Sequence, residues 1–277
     1  MLYRIFFFFL TLFILTSCSS SKKAVVPESE IKLPASYIPE VTIDGKANEW
    51  TAVPQDFSPR STLQLALANN SSNLFILLRV PGQTEQMKLL QGGMDIWVDG
   101  QDKKDKRTGI SYPVKGELGE PDHQQPPPGQ KPDLKQMHYK MAGQLISLNR
   151  FGFKDEYNGV QSIRQNTGFK AAISWDENDV LIYELTIPFN AFAQDVKKDN
   201  IEIGFNIHGI DRPKNQRPEN GSYVSEGGGM GGGGHRAGGN FGNRRSTNLR
   251  AATTAYNQKE KLYIPESFWA GYSVSRQ

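Results

Sequence analysis

The chain has 277 residues, 32 Lys and Arg against 29 Asp and Glu, and a formal net charge of +3. The basic pairs Lys22-Lys23, Lys103-Lys104, Lys197-Lys198 and Arg244-Arg245 are scattered among acids, which excludes the clustered cationic stripe of a nucleic-acid surface. A single cysteine, Cys18, excludes a disulfide framework and a multi-thiolate metal centre, so the fold must rest on its apolar core.

At the N-terminus, Arg4 precedes the apolar run from Phe6 to Leu15, which is too short to span a bilayer comfortably, and small residues lead into Leu15-Thr16-Ser17-Cys18. The run reads as a secretory signal over residues 1–17. Its last four residues resemble the lipobox of bacterial lipoproteins, which implies that Cys18 is acylated and becomes the new N-terminus. Residues 18–36 are polar and then proline-punctuated, the composition of a flexible tether. No acidic cluster follows Cys18 in Ser19-Ser20-Ser21-Lys22-Lys23, so the expected place is the bacterial cell envelope, on a periplasm-facing anchor of the outer membrane.

From residue 37 to 277 the chain reads as one domain of strand after strand. Leu63, Leu65 and Leu67 alternate with Thr62, Gln64 and Ala66, and a polar turn at Asn69–Asn73 leads into Leu74–Val80, the pattern of a hairpin. Thr84–Leu90 predicts one or two helical turns ended by Gly92-Gly93. In the next strand Met94, Ile96 and Val98 share one face and Asp95, Trp97 and Asp99 the other. Further strands are expected at Gln144–Leu148, Phe169–Trp175, Val180–Ile187, Ile201–Ile210 and around Phe268–Val274, with Pro188 closing the fourth of these because proline cannot donate to a ladder. Such a series packs most economically as an all-β, two-sheet, mostly antiparallel sandwich. Two stretches interrupt it and read as loop insertions, residues 100–136 with Pro126-Pro127-Pro128 and residues 212–247 with the glycine tract Gly227–His235. The tract lacks the spacing of a phosphate-binding loop.

Five segments, in order, carry a family resemblance: Val41–Trp50 with its Asp44-Gly45 and Glu49-Trp50, Leu74–Val80, Met94–Asp99 followed by Lys106–Tyr112, Tyr183–Phe189, and Ile203–Ile207. Together they are similar to family 9 carbohydrate-binding modules and the wider DOMON-like β-sandwich group. The resemblance implies a glycan ligand gripped between two tryptophans, one just ahead of the central acidic strand and one in the loop before the last strand, and calcium sites built from loop oxygens. At the first aromatic position this chain has Leu89–Gly93, and the second region holds Tyr256, Tyr263 and Trp269.

Among single residues, Trp50 is expected to pack as core. Trp97, flanked by Asp95 and Asp99, either stacks on a sugar ring or lies under a second apolar layer. Trp175 and Asp176 open a turn, and Trp269 either lines a cleft rim or packs in the core. His208 shares a face with Gly204 and Asn206, whose small side chains would leave room for a ligand, although a lone His on a strand is usually structural. Asp99 caps the loop after its strand or binds a cation there, calcium being the candidate ion. His123, His138 and His235 are too far apart in sequence for a zinc site.

The expected ligand-binding set is therefore Asp95, Trp97, Asn206, His208 and Trp269, with Asp99 for metal and Cys18 for lipid. Glu49, Asp95 and Glu184 could act as acid and base on a glycoside if brought together. No nucleophile-elbow, zinc-protease or Walker pattern occurs, so an enzyme is the least favoured class. The leading expectation is an envelope-anchored, non-catalytic glycan-binding lipoprotein. A lipoprotein that meets a protein partner without sugar is the alternative, and a haem module using a pair such as Met94 with His208 is the third.

Overall fold

The computed structural model describes residues 29–58, 62–101, 103–119, 133–154, 158–165, 167–192, 200–212 and 259–275. Cys18, His123, His235, Tyr256, the signal segment and the glycine tract lie outside the described residues. Twelve strands are described: β1 (Ser29–Leu33), β2 (Asp56–Phe57), β3 (Gln64–Asn69), β4 (Asn73–Val80), β5 (Met94–Asp99), β6 (Gly109–Ser111), β7 (Ser147–Phe151), β8 (Gly159–Ser162), β9 (Lys170–Trp175), β10 (Leu181–Pro188), β11 (Asn200–Ile207) and β12 (Glu266–Ser273). The helices that bear on the site are α1 (Gln83–Met87), extended by a π-type turn over Lys88–Gly92, and α2 (Leu134–Gln144).

The strands form two sheets that pack as a β-sandwich. The seven-stranded sheet runs β1-β12-β11-β5-β6-β7-β8 and the five-stranded sheet β2-β3-β4-β10-β9. Every pairing is antiparallel except β1 with β12. The alternation in the sequence decides the layers. Leu65 and Leu67, Ile76 and Leu78, and Leu185 and Ile187 line the inner face of the smaller sheet. They meet Met94, Ile96, Val98, Ile203, Phe205, Phe268 and Ala270 from the larger one in a single buried cluster.

The smaller sheet is covered on its outer side as well. Ala66, Ala68, Phe75, Leu77 and Ile182 pack under Ile38, Trp50 and Val53 of the segment that precedes β2. That segment is pinned by Glu184 in β10, whose Oε1 accepts the Trp50 indole N–H at 2.8 Å. Its Oε2 accepts the backbone N–H groups of Gly45 at 2.8 Å and Asp44 at 3.1 Å. Gly45 sits at φ +80, and a Cβ there would lie 2.6 Å from Ser174 Cβ, so a side chain is excluded by backbone and by space alike. Trp50 is core, as its sequence setting implies. The Asp-Gly and Trp elements of the opening motif thus serve the architecture.

Four expectations about elements are corrected. Residues 29–33, assigned to the tether, form β1 because Ile31 and Leu33 bury against the core while the backbone pairs in parallel with β12. The 100–136 insertion contains β6 and the start of α2, where Asp133 caps the helix by accepting the Gln136 N–H at 3.2 Å. Helix α2 runs through Gln144, so the strand expected at Gln144–Leu148 begins at Ser147 instead. Strand β11 ends at Ile207, where the His208 N–H turns to donate to Gly93 O.

Candidate functional site

The outer face of the seven-stranded sheet collects the expected ligand residues. In β5 the inward set is Met94, Ile96 and Val98, which leaves Asp95, Trp97 and Asp99 on the outer side. Register places Trp97 of β5 and Trp269 of β12 on either side of Gly204 in β11. With no side chain at Gly204, both indoles lean over it, their ring centroids 6.0 Å apart at 26°. A Cβ at Gly204 would lie 2.7 Å from Trp97 and 2.9 Å from Trp269. The room that Gly204 leaves is therefore filled by indole, which corrects the expectation that it is left for a ligand. Trp269 is fully buried and Trp97 is 8% exposed, with the Lys106 ammonium 4.6 Å above the Trp97 ring.

Next to the indoles, Asn206 faces Asp95, and Asp95 faces Ser111 of β6. His208 follows two residues after Asn206. The four side chains form one network: Ser111 Oγ donates to Asp95 Oδ1 at 2.6 Å, and His208 Nε2 lies 2.9 Å from Asp95 Oδ2. Asn206 Nδ2 lies 3.3 Å from His208 Nδ1. In these contacts Nε2 is placed to donate to Asp95, and Nδ1 faces the Asn206 amide. Burial works against the charged form of Asp95. The hydrogen bonds from His208 and Ser111 outweigh it and hold the carboxyl below its usual value. The His208 side chain is 35% exposed and that of Asp95 22%, so the network is open to a solute.

Beyond the indoles the same face opens into a cavity of about 400 Å³ bordered by Glu30, Lys32, Gln101, Asn200 and Glu202. Glu30 stands opposite Trp269 in β1 and pairs with Lys104 at 2.8 Å. From Glu202 to Asn206 the face runs about 13 Å along β11 at roughly 3.3 Å per residue. Ser111, Lys106, Glu30 and Glu202 were not singled out by sequence reasoning. The strand register, which the sequence does not carry, sets Ser111 opposite Asp95, Glu202 opposite Asp99 and Glu30 opposite Trp269, while Lys106 lies over the Trp97 ring.

Asp99 is buried at the end of β5. Its Oδ1 accepts Gln101 N–H at 2.8 Å, and its Oδ2 accepts Lys103 N–H at 2.7 Å and Asp105 N–H at 3.1 Å. It caps the loop; three N–H donors surround the carboxylate where a cation would need bare oxygens. Among the described residues no group of three His, Cys, Asp or Glu side chains could hold a metal ion. Two pairings considered from sequence are not assembled. Glu184 lies on the outer face of the smaller sheet and Asp95 on that of the larger one, so the two carboxylates have the whole sandwich between them. Met94 is sealed in the core while His208 is on the outer side, so they cannot share an axial pair.

A fourth tryptophan sits elsewhere. Trp175 closes β9 at one mouth of the sandwich, stacks on His138 of α2 at 4.2 Å and 6°, and donates its indole N–H to Gln86 Oε1 at 3.0 Å. As expected, it opens a turn, in which Asp176 Oδ1 accepts the N–H groups of Asn178 and Val180.

Two solved structures of a family 9 carbohydrate-binding module from Caldicellulosiruptor kristjanssonii are similar to this chain. The one in complex with cellotriose aligns at a TM-score of 0.31 with 12% identity, over 66% of this chain and 78% of that one. The one in complex with glucose aligns at 0.33 with 12% identity, over 65% and 79%. No protein-family model and no curated protein matches the chain.

Proposed function

We propose that this β-sandwich is a non-catalytic glycan-binding lipoprotein of the bacterial cell envelope, held by an acylated Cys18 and offering the outer face of its seven-stranded sheet to a sugar. The observation that carries the reading is the convergence on that face of Asp95, Asn206 and His208, half open and mutually hydrogen-bonded, beside the Trp97 and Trp269 indoles. A sugar presents hydroxyls that donate and accept along its rim, with C–H faces between. Asp95 keeps acceptor capacity beyond its two present bonds, and Asn206 supplies an amide. The exposed margin of Trp97 gives the apolar contact. The tryptophans act mainly as a rigid floor, since one is sealed and the other nearly so.

Calorimetric titration with glucose and cellotriose, followed by a glycan array, tests the reading. Asp95→Ala and Trp97→Ala should each weaken binding at least about tenfold, the weight of one or two lost contacts. No binding across a broad panel would sink it. The low exposure of both indoles favours a second reading in that event, a lipoprotein whose sheet face meets a protein partner. The anchor is tested separately: Cys18→Ala should move the protein from the membrane to the soluble fraction and abolish labelling by radioactive palmitate.

A further inference from the structure

Away from the sheet face, at the mouth of the sandwich where α1 and α2 approach, lies an apolar cavity of about 440 Å³. Three of the chain's six methionines line it, Met87 from α1 and Met137 and Met141 from α2, together with His138. Met137 and Met141 are four residues apart on α2 and His138 is three from Met141, so the helix stacks these side chains on one face. Met87 comes from the opposite wall. A packing role alone would be served by leucine, and Leu90 and Leu134 do serve it here. The thioethers of Met87 and Met137 stay reachable, each residue being 42% exposed.

His138 is not loosely placed. Its ring lies flat on Trp175, whose own orientation is fixed by the bond to Gln86, and Gln86 in turn donates to Val80 O and Asp179 O at 2.8 Å each. The Nδ1 atom faces Asp179 Oδ1 at 3.9 Å. At that distance the carboxylate is an electrostatic neighbour of Nδ1 and makes no hydrogen bond to it; its position on the Nδ1 side leaves Nε2 as the ring nitrogen for a metal. Thioethers are soft donors that bind Cu(I) in preference to hard cations, and an imidazole completes such a set.

We propose that Met87, Met137, Met141 and His138 form a site for a soft monovalent metal ion, Cu(I), bound through methionine sulfur and His138 Nε2, with Asp179 as the outer partner of the ring. The lining also carries the side-chain oxygens of Gln83, Gln86, Gln91 and Asp179, so the selectivity rests on the three thioether donors. The site is separate from the glycan face and does not depend on it.

The test is an anaerobic titration of Cu(I) against a chromophoric Cu(I) chelator, using the full chain with Cys18→Ser so that the one thiol cannot take the ion. One equivalent should bind and quench tryptophan emission through Trp175, and Ag(I) should reproduce the quench. Met137→Leu with Met141→Leu, which keeps the volume of the helix face, should weaken binding at least tenfold with the urea midpoint unchanged. His138→Gln should weaken it 10- to 100-fold. Equal affinity in the methionine variant would overturn the proposal, as would failure of the parent chain to compete with the chelator. Displacement of the ion by an equimolar amount of Zn(II) would overturn it as well.

Discussion

The Glu184 carboxylate accepts three hydrogen bonds from the Asp44–Trp50 segment, and burial pushes its pKa up against them. Removing the indole N–H by Trp50→Phe leaves Oε1 without that donor in a site closed to water. The expected cost is about 1–3 kcal/mol, read as a lower urea midpoint with glycan binding unchanged. Asp95 is perturbed in the opposite sense. Its folded pKa lies below the ordinary 3.8, so its share of stability is complete above that value and is lost as the pH falls through the folded pKa. Glu184, raised above its ordinary 4.5, favours the folded state most at low pH and loses that contribution as the pH rises through its folded value. Unfolding free energies measured from pH 7 to pH 2 should therefore show Asp95→Asn costing stability near neutrality, with the gap to the parent closing below pH 3.8. A gap that widens in acid would contradict the sign. The sequence exposed Asp95 and Trp97 as outward-facing through simple alternation, but it could not disclose that His208 bonds Asp95, because that contact spans 113 residues.

Strands β5, β11 and β12 hold the indole pair only because the central position is glycine. Gly204→Ala would set a methyl within 3 Å of both rings, tighter than packing tolerates, and one or both tryptophans would have to move. The expected penalty is about 1–3 kcal/mol, together with loss of the near-ultraviolet dichroism that two stacked indoles produce. An unchanged spectrum and midpoint would show that the rings have slack. Strands β5 and β11, whose alternation assigned their faces, were legible with those faces correct, while β4 and β10 were legible as apolar runs with no face assigned. Strand β1 was not, since five residues among prolines and lysines acquire their order from a parallel partner 239 positions away in the chain. Helix α2 had a legible signal in Asp133 and in the Leu134, Met137, Met141 spacing. Its weakly apolar face blended into the proline-rich stretch before it.

The two sheets are joined by one continuous core and by a polar clasp between distant parts of the chain. The Tyr272 phenol oxygen lies 2.8 Å from both Ser36 O and Asn69 Oδ1, donates its single proton to one of them, and accepts the Ser36 N–H at 3.3 Å. Asn69 also donates to Ser275 O and accepts the Ser275 N–H, each at 2.9 Å or less. Strand β3 of the smaller sheet, β12 of the larger one, the chain after β1 and the C-terminal residues thus meet at one point, while the tyrosine ring itself belongs to the shared core. Burial raises the Tyr272 pKa to about 12, so the hydroxyl remains protonated, and a donor, throughout the physiological range. Tyr272→Phe keeps the ring and removes only the clasp's hydroxyl, which should cost about 1–3 kcal/mol as Asn69 and Ser36 lose a buried partner. Because the sheets share their core, urea unfolding followed by far-ultraviolet dichroism and by tryptophan emission should still give coincident transitions, displaced together. Separated transitions in the variant would mean instead that the hydroxyl couples two sheets able to unfold independently.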